Sequence, residues 1–166
     1  MSIKVVGIDP GLAATGIGLV TGNGRKVTGY AFGTIRTSQR KHLADRLEHI
    51  HSRLFKLLAA EKPDLLIVED IFSLEKYPQS GITLGKVCGV ILLAAKQVGA
   101  SIKEIPVREA KQVLTGNGNA TKAQLEKAVR QMIGCAEPIK PFHASDALGL
   151  ALIGLFRYTG LQHPGR

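Results

Sequence analysis

The sequence predicts an α/β protein with a mixed five-stranded sheet and helices on both faces. Three strand-like segments open the chain, and after them helical patterns alternate with two further short strands. The run Asp64 to Val68 is continuously apolar after its first residue, as in a central strand that is covered on both faces. Elements in this order are typical of a mixed sheet between two helical layers.

The three N-terminal strand-like segments predict an antiparallel meander. They span Ile3 to Asp9, Gly16 to Thr21 and Val27 to Arg36. Pro10-Gly11 predicts a turn between the first two, and Gly22-Asn23-Gly24 predicts a hairpin turn between the second and third.

The remaining elements follow from apolar spacing. Apolar residues at intervals of three and four predict an amphipathic helix from His42 to Ala60. A polar loop is expected from Ser73 to Gln79, followed by an apolar helix to about Val98. After a short strand, Ser101 to Ile105, three more helices are predicted: Val107 to Leu114, Thr121 to Ile133 and Pro141 to Phe156.

Length and composition fit one globular domain. The chain has 166 residues, so residues 1–158 are expected to form one domain and residues 159–166 a flexible tail. The longest apolar run, Ala147 to Phe156, is shorter than the roughly 20 residues of a membrane helix. The N-terminus has no apolar leader pattern, so a cytoplasmic location is expected. The two cysteines, Cys88 and Cys135, are too few for a structural zinc site and are expected to be buried thiols.

The charge balance favours a polyanionic partner. Lys and Arg number 22 against 13 acidic residues, giving a formal net charge of +9. The basic residues are scattered along the chain, so the positive field belongs to a folded surface. Nucleic acid and an anionic membrane surface both fit such a field.

Three carboxylates stand where apolar core is expected. Asp9 and Glu69 each end a buried strand, and Asp146 lies near the start of the last, apolar helix. If the two strands are neighbours, their carboxyl ends bring Asp9 and Glu69 together, and His143 shares a helix face with Asp146. Because buried like charges are costly, this group predicts a site for Mg²⁺ or Mn²⁺ and metal-assisted phosphodiester hydrolysis.

Each of these residues also has a simpler interpretation. Asp9 before Pro-Gly can be a turn residue, and Asp146 can be an acid that interacts with the helix dipole. A single histidine such as His143 is more often structural or exposed than a ligand. Glu69 at the end of an apolar strand is harder to explain in this way, and the three carboxylates together favour a metal site.

The motifs, taken in order, resemble the RuvC family of bacterial Holliday-junction resolvases. The resemblance spans nearly the whole chain and rests on four segments: Gly7-Ile8-Asp9-Pro10-Gly11 with Thr15-Gly16, Ile67-Val68-Glu69-Asp70-Ile71-Phe72, Lys111-Gln112-Val113 with Gly116-Asn117-Gly118 and Lys122, and His143-Ala144-Ser145-Asp146. It implies a ribonuclease-H-like fold, a homodimer and metal-dependent symmetric nicking of four-way DNA junctions in homologous recombination and DNA repair. It also implies Mg²⁺, two ions per site with Mn²⁺ as a substitute, and the branch-migration proteins RuvA and RuvB as partners.

By motif position, the resemblance assigns the catalytic and metal-binding roles to four residues. Asp9, Glu69 and Asp146 match the family's catalytic carboxylates, and His143 stands where many members have Asp. This substitution keeps a ligand, removes one negative charge and favours softer ions such as Mn²⁺.

The resemblance also suggests DNA contacts. Phe72 is either a core residue or an aromatic that stacks on a base near the scissile phosphate. Lys111 and Lys122 are either ordinary solvated lysines or DNA contacts that flank the loop Gly116 to Thr121, whose backbone amides could hold a phosphate.

Glycines recur every fourth residue in the long apolar helix, at Gly81, Gly85 and Gly89. Each costs about 1 kcal/mol in a helix interior, so the series needs a reason. Close packing on the sheet is one, and close approach of a second subunit's helix is the other.

Three other functions compete with junction resolution. An ATPase of the actin or sugar-kinase type opens with a similar strand and Asp-Pro-Gly turn, but it needs two domains and more residues. A nuclease of the same fold that acts on RNA, or a transposase-type core, would keep the carboxylates. A protein that binds branched DNA without cutting it would be weakened by acidic residues in its cleft.

Overall fold

The computed structural model describes residues 2–24, 26–71 and 78–158. Phe72 and the tail 159–166, for both of which the sequence makes predictions, lie outside the described residues. The described chain forms five strands and five helices: β1 Ile3–Asp9, β2 Ala14–Asn23, β3 Lys26–Arg36, α1 Leu43–Glu61, β4 Leu65–Glu69, α2 Pro78–Gln97, β5 Ser101–Ile105, α3 Val107–Thr115, α4 Lys122–Ile133 and α5 Phe142–Tyr158.

The sheet confirms the predicted mixed α/β class. Its strand order is β3-β2-β1-β4-β5, with β1, β2 and β3 antiparallel and β4 and β5 parallel to β1 and to each other. Because β1 and β4 run side by side and in the same direction, Ile8 faces Val68. The residues that follow, Asp9 and Glu69, therefore end at the same edge of the sheet.

The structure corrects two predicted boundaries. Gly22 and Asn23 belong to β2, which pairs with β3 as far as Asn23 and Lys26, so the hairpin turn lies later than expected. Gly24 adopts φ +57°, the left-handed conformation that glycine tolerates best, and this explains why the strands extend to it. The second correction concerns α2. This helix begins at Pro78, so residues 78 and 79, the end of the predicted polar loop, are helical.

Two apolar layers enclose the sheet. Helices α1 and α2 cover one face, where Ile50, Leu54 and Ile91 pack against Ile8 and Val68. Helices α3, α4 and α5 cover the other face around Val5 and Ile67. The strands β1 and β4 are thus buried on both sides, as the continuous apolar run of β4 predicts.

The burial of the two cysteines agrees only in part with the sequence prediction. Cys88 is buried and Cys135 is only half-buried, because Cys135 follows the end of α4 rather than lying within a helix; both are free thiols. Among the described residues, no helix has the length and apolar character needed to cross a membrane.

Helix α5 lies directly on the backbone of β1 and β2. Three strand positions that face it are glycines, Gly7, Gly16 and Gly18, and a Cβ at any of them would collide with the α5 backbone. At Gly7 such an atom would lie only 2.6 Å from the amide nitrogen of Ala151. Glycine is therefore required here by the close approach of helix and sheet.

We expect Gly7→Ala to destabilise the protein, because the helix and the strand cannot both keep their places. Overpacking of this kind costs about 2–3 kcal/mol, or roughly 5–10 °C in Tm for a chain of this length. The matched control is Gly33→Ala in β3, where an added Cβ meets nothing within 4 Å. Thermal unfolding followed by circular dichroism measures both. Equal Tm values for the two variants would contradict the close packing.

Candidate active site

The carboxyl ends of β1 and β4 and the first turns of α5 enclose a small acidic cleft. Its volume is about 230 Å³, and the polar residues that line it are Asp9, Glu69, Lys111, Lys122, His143 and Asp146. These six are site residues that the sequence predicts, and the structure brings them together. The seventh predicted site residue, Phe72, lies outside the described residues.

The backbone around Asp9 is fixed by its neighbours. Asp9 pairs with Gly16 across β1 and β2, and the Thr15 hydroxyl, fully buried, donates a hydrogen bond of 2.8 Å to the Gly11 carbonyl oxygen. This bond closes the Pro10-Gly11 turn. The missing side chain of Gly16 lets the carbonyl of His143 approach, so the start of α5 lies against the turn.

Asp9 and His143 form a direct pair. The Asp9 Oδ2 and His143 Nδ1 atoms are 2.6 Å apart, and Asp9 is buried. This hydrogen bond is the main cause that raises the pKa of His143, which favours the protonated imidazolium. Because Nδ1 is paired with Asp9, any further partner of the ring must bind at the other nitrogen, Nε2.

Glu69 is held close to Asp9. Burial, a hydrogen bond to Asp9 and the negative charges of Asp9 and Asp146 together raise the pKa of Glu69 to about 9, against an opposing effect of Lys122. A hydrogen bond between two carboxyl groups needs a proton on one of them, and the raised pKa favours the neutral form of Glu69.

Asp146 carries the clearest sign of a missing partner. The residue is 7% exposed, and its Oδ1 atom is buried without a hydrogen-bond partner among the described residues. Burial and the charge of Asp9 raise the pKa of Asp146 to about 6, although Lys122, His143 and Lys111 lower it. A buried carboxylate oxygen without a donor is costly, and a bound cation would remove this cost.

The side chains do not yet form a ligand cage. Across residues 2–24, 26–71 and 78–158, no group of three His, Cys, Asp or Glu side chains is arranged to hold a metal ion as it stands. Asp9 instead satisfies its oxygens through His143 and Glu69. Rotation of these side chains away from one another is needed before their oxygens can share a cation.

The loop between α3 and α4 corrects one expectation from the sequence. Its backbone amides do not offer a phosphate site, because the protein itself uses them: Gly118 N–H donates to Gln112 Oε1, and Asn119 N–H donates to Asn117 Oδ1. The amide of Thr121 is taken by Gln124 in a capping box at the start of α4. What the loop presents to the cleft is the pair of lysines on either side of it.

Two residues that appear in the family motifs, but to which the sequence assigns no role, act in this arrangement. Gln112 braces the loop at two points, because its amide also donates to the Gly116 carbonyl oxygen at 3.0 Å. Gly16 admits α5 to the Asp9 turn. The sequence contained a signal for Gly16, a glycine in a strand pattern, but nothing in a single sequence marks an exposed glutamine as a loop brace.

The comparisons with known proteins show the family and agree with the fold. The sequence model of the family described as "Crossover junction endodeoxyribonuclease RuvC" matches residues 5–154. Proteins of that name from Prosthecochloris aestuarii and Chlorobium phaeovibrioides are each 40% identical, over 91% and 95% of this chain and 80% and 84% of their own length.

A solved structure gives the same result. The structure titled "T. thermophilus RuvC in complex with Holliday junction substrate" superposes with a TM-score of 0.87 at 30% identity, covering 95% of both chains.

Burying Asp146 as a charged carboxylate costs more free energy of folding than burying a neutral group. We therefore expect Asp146→Asn to raise Tm in EDTA at pH 8. The folded pKa of about 6 lies above the ordinary value of 3.8, so ionisation destabilises the folded state as the pH rises through this range. The gain is on the order of 2 kcal/mol, or several degrees. Near pH 4 wild type and variant should unfold at similar temperatures.

The control for this measurement is Asp45→Asn on the exposed face of α1, which should give no rise in Tm. A Tm for Asp146→Asn at or below wild type at both pH values would contradict the buried, unpaired carboxylate.

The family model, the relatives and the solved structure all agree, and the chain belongs to the RuvC family of crossover junction endodeoxyribonucleases.

Proposed function

We propose that this chain resolves four-way DNA junctions by symmetric, metal-dependent nicking in homologous recombination and DNA repair. Asp9, Glu69, His143 and Asp146 serve as its catalytic and metal-binding residues. The single observation that carries the proposal is the buried Oδ1 atom of Asp146, which has no described hydrogen-bond partner and lies in a cleft with two further acids. The junction-bound relative from Thermus thermophilus supports the substrate.

The donor set fits Mg²⁺. Three carboxylates provide the hard oxygen ligands that Mg²⁺ prefers, and water completes its octahedral shell. The raised pKa values of Glu69 and Asp146 are the result expected when acids are brought together without a balancing charge. Two ions per site fit the number of acids, and Mn²⁺ can substitute because His143 adds an imidazole nitrogen.

Bound divalent ions supply the chemistry of phosphodiester hydrolysis, in which they activate water and stabilise the leaving oxygen. The protein's own groups prepare the site for this. Asp9, Glu69 and Asp146 would hold the cation through their carboxylate oxygens, and a cation bound there would favour the ionised form of Glu69. His143 keeps Nδ1 towards Asp9 and presents Nε2, which donates a hydrogen bond in the imidazolium form and would bind an ion or accept a proton only in the neutral form.

Lys111 and Lys122 act as DNA contacts. Both line the cleft, and both lower the pKa of Asp146, so their positive charges lie within electrostatic reach of the acids. A phosphate placed over the acids would thus meet a lysine on α3 and one at the start of α4. Phe72, which follows Glu69 by three residues, stays a predicted base-stacking contact.

The active form is a homodimer that pairs through α2. An added Cβ at Gly81, Gly85 or Gly89 meets nothing within 4 Å, so the glycines are not needed for packing on the sheet. The same helix exposes Ile82 by 64% and Leu93 by 51%. A smooth, apolar helix face of this kind fits a second copy of the same helix, and a twofold dimer matches a twofold junction.

Other expectations stay predictions. The two apolar layers share one sheet, which supports a single nuclease domain over residues 1–158. RuvA and RuvB remain the partners that the family resemblance implies, and a cytoplasmic location also remains a prediction.

To test the proposal, we expect the wild-type protein with Mg²⁺ to nick an immobile four-way junction at paired positions in opposite arms, and EDTA to abolish nicking. Asp9→Asn should lower the nicking rate at least about a hundredfold while junction binding persists, because it removes an anionic ligand but no DNA contact. Denaturing gels of labelled junction, linear duplex and RNA–DNA hybrid measure cleavage, and gel shifts measure binding.

The matched control is Asp45→Asn, which should nick at the wild-type rate. A second readout is independent of cleavage: Mg²⁺ should raise the Tm of wild type but not that of Asp146→Asn. Hybrid cleavage in place of junction cleavage would move the function to RNA processing. Junction binding without nicking under Mg²⁺ or Mn²⁺ would favour a non-cleaving binding protein.

A separate experiment tests the dimer. Leu93→Glu should convert the protein into a monomer, because a charge on the exposed α2 face cannot be buried against its own copy. Sedimentation equilibrium measures the mass, and the junction gel should show single rather than paired nicks. The control is Met132→Glu on α4, a residue that is also exposed, by 40%, and that should leave the mass unchanged. A monomeric wild type would refute the α2 interface.

A further inference from the structure

A second groove lies between α1 and the outer part of the sheet. It has a volume of about 460 Å³ and shares no lining residue with the acidic cleft. Its apolar lining residues are Ile17, Leu19, Ala31, Phe32, Ile35 and Leu57. No proposed step of junction cleavage uses this surface.

The rim of the groove is positively charged. Arg53 and Lys56 lie on α1 at its margin, and both are exposed. Within the described residues, neither has an ion-pair or hydrogen-bond partner. Glu61, the acidic residue in the lining, is paired with Lys4 at 2.9 Å. The groove therefore offers two cations to an anionic ligand.

The groove runs along an open sheet edge. Strand β3 spans 11 residues and pairs with β2 alone. Among the described residues, no backbone hydrogen bond joins its outer side to another element. Such an edge is a ready template for an added strand, and proteins that do not use it usually cover or interrupt it.

The charges on β3 indicate which kind of strand can pair with its open edge. The strand contains no acidic residue and carries Lys26 at one end and Arg36 at the other, both exposed. If β3 paired antiparallel with a second copy of itself, Lys26 would come to oppose Arg36, and like charges opposite one another are destabilising. An acidic strand would instead meet these two cations and those of α1.

We propose that this groove and the β3 edge bind an extended acidic segment of a partner protein. The segment adds to the sheet beside β3, places apolar side chains over the groove floor and brings its carboxylates to Arg53 and Lys56. A nucleic acid fits less well, because the apolar lining is aliphatic apart from Phe32 and the unpaired backbone of β3 offers donors and acceptors that match another peptide backbone.

This surface would act independently of cleavage. The acidic cleft lies at the carboxyl ends of β1 and β4 and the groove lies over β2 and β3, so a junction and a peptide can bind at once. The site is thus suited to recruiting or retaining the protein beside a partner. The proposal does not depend on the metal site.

The probe is a short fluorescein-labelled peptide in which Val and Glu alternate, with Asp at both ends. Its binding to the full chain is followed by fluorescence anisotropy. We expect the double variant Arg53→Glu with Lys56→Glu to weaken binding about tenfold or more, because attraction becomes repulsion. Ala31→Phe, which fills the groove from an exposed position, should weaken it by a similar factor. Lys127→Glu on the exposed face of α4 is the control and should bind as wild type.

Two further peptides test the mode of binding. A peptide with Lys in place of Glu should not bind, and one with Pro at alternate positions should lose affinity because Pro cannot donate to the sheet. Circular dichroism and junction nicking should be unchanged in the groove variants, which separates failure of this proposal from failure of the proposed function.

The proposal is wrong if the acidic peptide does not bind wild type, or if it binds the groove variants equally well. It is also overturned if the double variant loses affinity for single-stranded DNA instead of the peptide, which would assign the surface to nucleic acid. Loss of the dimer in Ala31→Phe would assign it to a second copy of the chain.

Discussion

The arrangement of the site depends on the direct contact between α5 and the backbones of β1 and β2. An α-helix with ordinary side chains beneath it would lie farther from the sheet, and the first turn of α5 could not reach the end of β1. Glycines at Gly7, Gly16 and Gly18 remove those side chains where the helix crosses. The result is a spacing at which His143 can bond to Asp9 at 2.6 Å. A packing constraint along the whole helix thus sets the geometry of a few polar atoms at its start.

The same closeness has an electrostatic cost. Burial raises the pKa of Glu69 and of Asp146, and the nearby charge of Asp9 raises both further, while no ion pair among the described residues joins either acid to a basic side chain. Lys111 and Lys122 offset part of it from the rim without forming an ion pair with the acids. The buried acids therefore lower the folding stability of the protein when no cation is bound, and the same acids favour cation binding.

Much of the fold and most of the site could be predicted because their signals are local or periodic. Strand β4 was evident as an apolar run, and Asp9 and Glu69 stood out as charges at strand ends, where parallel pairing brings them together. The hairpin turn was placed too early, because several glycines and an asparagine compete for it and only the strand register decides. The role of the α3–α4 loop was misjudged for a related reason: whether its amides are free depends on Gln112, a contact that no spacing rule reveals.

The sheet also explains why its surfaces can act separately. The acids lie at the carboxyl ends of the central strands, the smooth face of α2 lies on the outside of one helical layer, and the groove over β3 lies at the open edge. Central strands are buried on both sides and so give a rigid base for a charged site, whereas an edge strand keeps unpaired backbone groups. Evolution can therefore alter the edge without disturbing Asp9 or α5. Lys26 and Arg36 contribute nothing to the core, and on an open edge such charges oppose pairing with a second basic strand while leaving the edge open to an acidic one.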